Sequence, residues 1–127
     1  MYREAKAHFT HTERWFSAKG RRFDYEEGLG PYEYLMGALA GCFTSTLLDE
    51  LAAAGVEVGD IDVHCYGRKR ESVPTTLEET FIDLSVHAPA ESAEAILEAV
   101  GKTKEHCSMY QTIRCVSTMH VSCEVVK

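Results

Sequence analysis

No Cys-x-x-Cys and no His-x-x-x-His occurs in this chain, which removes the spacings that most often build a structural zinc site. His64-Cys65 and His106-Cys107 are adjacent pairs whose side chains diverge, and His120 and Cys123 face opposite sides of a strand. No metal is expected. There is no glycine loop of the phosphate-cradling type and no Gly-x-Ser-x-Gly elbow. Repeats, low-complexity segments and linkers long enough to separate domains are likewise missing. The longest apolar run, Leu35 to Phe43, falls far short of the about 20 residues that span a bilayer. The stretch Tyr2 to Phe16 is polar and charged rather than signal-like, so a cytoplasmic protein is expected.

Basic patches are scarce too. The densest cluster, Arg68-Lys69-Arg70, is followed at once by Glu71 and reads as a solvated strand end. With a net charge of −7, neither a nucleic-acid backbone nor an anionic membrane surface is an expected partner. The length of 127 residues predicts one domain, 1–127, large enough to bury a core. Five cysteines without framework spacing exclude a disulfide scaffold, and in a reducing compartment cysteines that do pair are catalytic or sensing.

Residues 3–10 alternate weakly and 15–27 can form their hairpin partner, with a turn near Lys19-Gly20. Gly28-Leu29-Gly30-Pro31 breaks the strands, and Pro31 suits a first helical turn. The helix expected from Pro31 to Ala54 is apolar on nearly every side until Asp49 and Glu50, and Gly55 caps it. One layer of strands covers only one face of such a helix, so a second copy of the chain is expected against the other. Strands follow with Ile61, Val63 and Cys65 on one face, then Thr80, Ile82, Leu84 and Val86. A second helix, capped by Ser92 or Glu91, carries the stripe Ala93, Ile96, Leu97, Val100 and Cys107. A last strand places Cys115, Ser117, Met119, Val121, Cys123 and Val125 on one face. The order makes an α+β protein.

Periodicity sorts the cysteines. Cys65, Cys115 and Cys123 fall at inward strand positions, where cysteine acts as a small hydrophobe. Cys42 and Cys107 lie in helical stretches, where they are either core residues or a redox pair. On the face of Cys42 are Ala38, Leu39, Ser45, Thr46 and Asp49. A reactive thiol needs its anion stabilised. Cys42 lies too deep in its helix for the N-terminal dipole to act, so an arginine from elsewhere is expected. Arg14, Arg21 and Arg22 precede the helix, and Glu33 can hold such a guanidinium by a bidentate pair.

The run Gly30-Pro31-Tyr32-Glu33-Tyr34-Leu35-Met36-Gly37-Ala38-Leu39-Ala40-Gly41-Cys42, with Cys107-Ser108-Met109-Tyr110-Gln111-Thr112-Ile113, resembles the OsmC/Ohr family. The likeness covers nearly the whole chain in element order. It implies an OsmC-like α+β fold, with antiparallel strands packed around a long buried central helix, in an intertwined homodimer. It also implies a thiol peroxidase that reduces organic hydroperoxides and is recycled by a dithiol such as a lipoyl group, with no cofactor. Cys42 would be the peroxidatic cysteine and Cys107 the resolving one. Arg14 would be the activating arginine, oriented by Glu33, and Leu39, Phe43 and Met109 would line the substrate pocket. Glu33 stands nine residues before Cys42, as in less studied branches of the family, with Tyr32 at ten. The alternative is a non-enzymatic OsmC-like dimer that binds a ligand or senses redox state.

Overall fold

The structure, a computed structural model, describes residues 1–127. The elements are β1 (Lys6–Phe9), β2 (Arg14–Ala18), β3 (Arg21–Asp24), α1 (Pro31–Ala53), β4 (Ile61–Lys69), β5 (Leu77–His87), a 3-10 turn (Ala90–Ser92), α2 (Ala93–His106), α3 (Ser108–Ile113) and β6 (Thr118–Val126). The expected α+β class holds. The chain forms two compact units, Met1–Leu35 and Met36–Lys127.

In the N-terminal unit, β1, β2 and β3 make an antiparallel sheet. Lys19 and Gly20 both have positive φ, 50° and 77°, as a tight two-residue hairpin turn requires. Across the strands, Phe16 stacks on Phe23 at 5.0 Å and meets Tyr34 edge-on at 5.1 Å. Tyr34 also donates its hydroxyl to the Asp24 carbonyl at 2.8 Å. The first turn of α1 is thereby tied to the hairpin. Gly30 stands before that turn, and Glu33 Oε1 accepts from the Gly30 N–H at 2.7 Å. This is half of a capping box, in which the third helical residue satisfies an orphan amide at the helix start.

At 23 residues, α1 has the length and composition of a membrane-crossing helix, more than the run Leu35–Phe43 alone suggests. Within the C-terminal unit it buries one stripe, Leu39, Phe43, Leu47 and Leu51, each at 0–1% exposure. The spacing of four keeps them on one face. Leu48 is 48% exposed, and Gly37, Ala38 and Gly41 are exposed as well. The helix stops where expected. Gly55, at φ 70°, donates to Ala52 O at 3.1 Å, and Val56 donates to Leu51 O at 2.9 Å, the bond pair of a Schellman cap.

β5 is the central strand of the second sheet, order β4-β5-β6. Its alternation reads directly as burial: Thr80, Ile82, Leu84 and Val86 are inside, and the Thr80 and Ser117 hydroxyls bond at 2.8 Å. On the other face Tyr66, Phe81 and His120 stack in register at 4.7 Å spacings. β4 runs antiparallel to β5, whereas β6 runs parallel to it, so the all-antiparallel expectation is corrected at this one pairing. A parallel neighbour requires a long crossover, and α2 with α3 supplies it.

Four further expectations are corrected. Ser92 makes no side-chain cap, because a 3-10 turn leads straight into α2. Leu97 is 52% exposed; the buried stripe is Ile96, Ala99, Val100 and Thr103. Cys107 is not inside a helix but in the break between α2 and α3, extended at φ −76° and ψ 115°. Cys115 lies exposed in the turn before β6, its thiol donating to Gln111 O at 3.4 Å. Cys65 and Cys123, by contrast, sit half-buried on their strands as expected.

Candidate functional site

The break at Cys107 builds the site. Its backbone N–H closes α2 on Thr103 O at 2.8 Å. Its sulfur then takes the place of an N-cap oxygen, accepting from the Tyr110 N–H at 3.4 Å to start α3. Gln111 Nε2 donates to Lys104 O at 2.7 Å, satisfying a carbonyl near the end of α2. The chain thus changes direction at Cys107 without a glycine or proline, and the side chain stays fully buried.

That geometry brings Cys107 to Cys42. Cys42 is half-buried on α1, and the two sulfurs lie 3.4 Å apart, both reduced, with the Cys107 thiol donating to Cys42. A disulfide requires about 2.05 Å, so closure needs little movement of either residue. Ser108 Oγ stands 3.7 Å from the Cys42 sulfur on another side. Two ties hold the segment to α1 nearby. Glu50 Oε1 meets His106 Nδ1 at 2.5 Å, and Phe43 packs on Tyr110 with centroids 6.0 Å apart.

The two thiols are electrostatically unequal. Burial works against ionisation of Cys42, but it is outweighed by the Met109 N–H, the Cys107 thiol, and the Ser108 hydroxyl and N–H, which hold its pKa below the usual thiol value. Cys107 moves the other way. Burial pushes it up, the Tyr110 N–H only partly offsets this, and the neighbouring Cys42 sulfur adds to the rise. Cys42 is therefore the sulfur disposed to be an anion and Cys107 the one that keeps its proton. Burial, then Asp83 and Cys107, push Cys65 up to about 11, and burial raises Cys123, so both are held toward the protonated thiol.

Within this unit, neutral donors at the start of α3 act on Cys42. Reading the sequence missed Ser108, because a serine after a cysteine in an apparently continuous helix looks like a surface residue. Of the expected pocket residues, Leu39 and Phe43 are fully buried and Met109 is half-buried. Arg14 is exposed at the start of β2. It lines a cleft of about 530 Å³ with Phe9, Tyr25 and Leu29 in the N-terminal unit. Arg22 is engaged elsewhere, bonded to Asp24 at 2.9 Å and lying 4.9 Å over the Trp15 ring. Glu33 serves the helix cap already described. No three His, Cys, Asp or Glu side chains converge as metal ligands.

The family model described as OsmC-like protein matches residues 24–122. No curated protein sequence matches the chain. Among solved structures, the chain is similar to an OsmC-like protein from Mycoplasma pneumoniae, with a TM-score of 0.87 and 16% identity, covering 100% of this chain and 99% of that one. A hypothetical protein from Aquifex aeolicus VF5 superposes with a TM-score of 0.85 at 22% identity, over 98% of this chain and 96% of that one. The organic hydroperoxide resistance protein OhrB of Bacillus subtilis gives 0.71 at 16% identity, over 98% of each chain. At these identities the likeness is one of fold.

Proposed function

The chain belongs to the OsmC-like protein family, and on that premise we propose that it is a thiol-dependent peroxidase reducing organic hydroperoxides in oxidative stress defence. The observation that carries the reading is the pair of reduced sulfurs 3.4 Å apart, one favoured as an anion and the other as a thiol. The organic hydroperoxide resistance protein of similar fold supports the substrate class.

In the proposed cycle the Cys42 thiolate attacks a peroxide oxygen. An S–O bond forms, the O–O bond breaks, and the departing alkoxide takes up a proton to leave as alcohol. Cys42 is left as a sulfenic acid. The Cys107 sulfur then attacks the Cys42 sulfur, the S–OH bond breaks, and hydroxide leaves with the Cys107 proton as water. A dithiol such as a lipoyl group reduces the resulting disulfide by exchange and is itself oxidised. Leu39, Phe43 and Met109 form the apolar surroundings that favour organic peroxides. The roles of Arg14 as activating cation and Glu33 as its orienter and the intertwined homodimer enter this proposal through the family resemblance, and a cytoplasmic setting is proposed with them.

A second reading, a redox-sensing or ligand-binding dimer, is favoured by the engagement of Glu33 with its own helix start. Single-turnover reaction of the reduced protein with cumene hydroperoxide, followed by intact mass and thiol counting, separates the two. A peroxidase loses two thiols, mapped to Cys42 and Cys107, at a rate that supports turnover with dihydrolipoamide. Slow oxidation spread over all five cysteines would sink the peroxidase reading.

A further inference from the structure

We propose that Ser108 activates Cys42, its hydroxyl donating to the Cys42 thiolate from the first turn of α3. The inference deepens the peroxidase reading and rests on Cys42 being the attacking sulfur.

The contact is between side chains far apart in sequence. Ser108 Oγ lies 3.7 Å from Cys42 Sγ, within hydrogen-bond reach for the larger sulfur atom. Its placement follows from the bonds around it. The Tyr110 N–H on the Cys107 sulfur fixes the turn immediately before Ser108. The Thr112 hydroxyl donates to the Ser108 carbonyl at 2.8 Å, and Gln111 braces the turn against Lys104 O. Ser108 is thus held by local bonds that do not involve its own hydroxyl, which is left directed at Cys42.

Four donors surround the Cys42 sulfur, and they differ in what the reaction does to them. The Ser108 and Met109 amides belong to the backbone and persist through every step. The Cys107 hydrogen departs when the disulfide closes. The Ser108 hydroxyl is the one side-chain donor that the cycle does not consume. A hydrogen bond to an anion is roughly twice as strong as one between neutral groups. Removing this hydroxyl therefore costs the thiolate more than the thiol, and that difference is what sets the sulfur's reactivity. Ser108 occupies the first position of α3 with Cys107 as the cap, so an alanine there leaves the cap and the α3 bonds in place.

The test is alkylation of Cys42 by iodoacetamide across the neutral and alkaline range, followed peptide by peptide by mass spectrometry in the full-length protein. Ser108→Ala is expected to move the midpoint of the Cys42 profile upward and slow alkylation at neutral pH by roughly three- to tenfold. Ser108→Thr, which keeps a hydroxyl, is expected to restore most of the parental profile. A Ser108→Ala profile superimposable on the parent would overturn the proposal. So would a shift that Ser108→Thr shares in full, since the hydroxyl would then not be its cause. Alkylation involves no peroxide. A shifted profile in a protein that fails to consume cumene hydroperoxide would uphold Ser108 and remove the peroxidase reading, whereas turnover with an unshifted profile would do the reverse.

Discussion

Glu50 and His106 meet at 2.5 Å, joining α1 to the last residue of α2, one position before Cys107. Cys42 and Glu50 share α1, so the segment that carries Cys107 is anchored to that helix at the sulfur pair and again at this bond. The pair is partly exposed, with the His106 side chain at 57% and that of Glu50 at 18%, and such pairs are worth at most about 1 kcal/mol. Glu50→Ala is therefore expected to slow disulfide closure by no more than about fivefold, leaving the first oxidation step at its parental rate. Mass-quench kinetics after one equivalent of peroxide separates the two phases.

The cysteines themselves make a sharper prediction. Cys42→Ser abolishes peroxide consumption. Cys107→Ser permits one oxidation and then stalls at the Cys42 sulfenic acid, which dimedone captures and which excess peroxide drives to the sulfinic state. Cys115→Ser, altering an exposed thiol in a turn, leaves turnover unchanged. Equal sensitivity of all three variants would show that no specific pair carries the chemistry.

Glu33 separates a structural role from a catalytic one. Its carboxylate caps the start of α1 through the Gly30 N–H, and loss of a cap costs about 1 kcal/mol. Glu33→Ala should lower the melting temperature, whereas Glu33→Gln keeps an acceptor and should melt close to the parent. If Glu33 also orients an activating arginine, Glu33→Gln loses peroxide turnover while keeping its stability. Paired melting and turnover measurements on the two variants decide between the roles.

Cys65 predicts a pH dependence of stability. Its pKa is raised, to about 11, by burial first and then by Asp83 and Cys107. Between the unfolded and folded values the folded state holds the extra proton, so stability is complete below the unfolded value and falls as pH rises through the folded one. Cys123 adds in the same direction. Thermal melts are expected to decline from about pH 9 to about pH 11. Cys65→Val, a β-branched residue suited to a half-buried strand, should flatten that decline. An unchanged slope would count against the burial of this thiol as its source.

Much of the fold was legible from local pattern. The Lys19-Gly20 turn, the start of α1 at Pro31 and its Gly55 stop depend on backbone preferences of a few neighbouring residues, and the structure has all three. The alternation of Thr80, Ile82, Leu84 and Val86 is a period of two that only a strand turns into a buried face. Where the signal was weaker it misled. Leu97 fits a helical stripe as well as Ala99 does, and only packing decided which is covered. Cys115 fits the alternation of the last strand, yet β6 begins at Thr118 because the turn after α3 takes the intervening residues.

The sequence by itself determined that Cys42 and Cys107 stand apart from the other cysteines, through the motif around each, and that the chain is an α+β protein of the OsmC-like family. Only the tertiary structure decided that their sulfurs lie 3.4 Å apart and that neutral donors at the start of α3 favour the Cys42 anion. Helix and strand periodicity are written in near neighbours. The parallel pairing of β5 with β6 and the approach of Cys107 and Ser108 to Cys42 join residues dozens of positions apart, and such contacts form only when the whole unit packs.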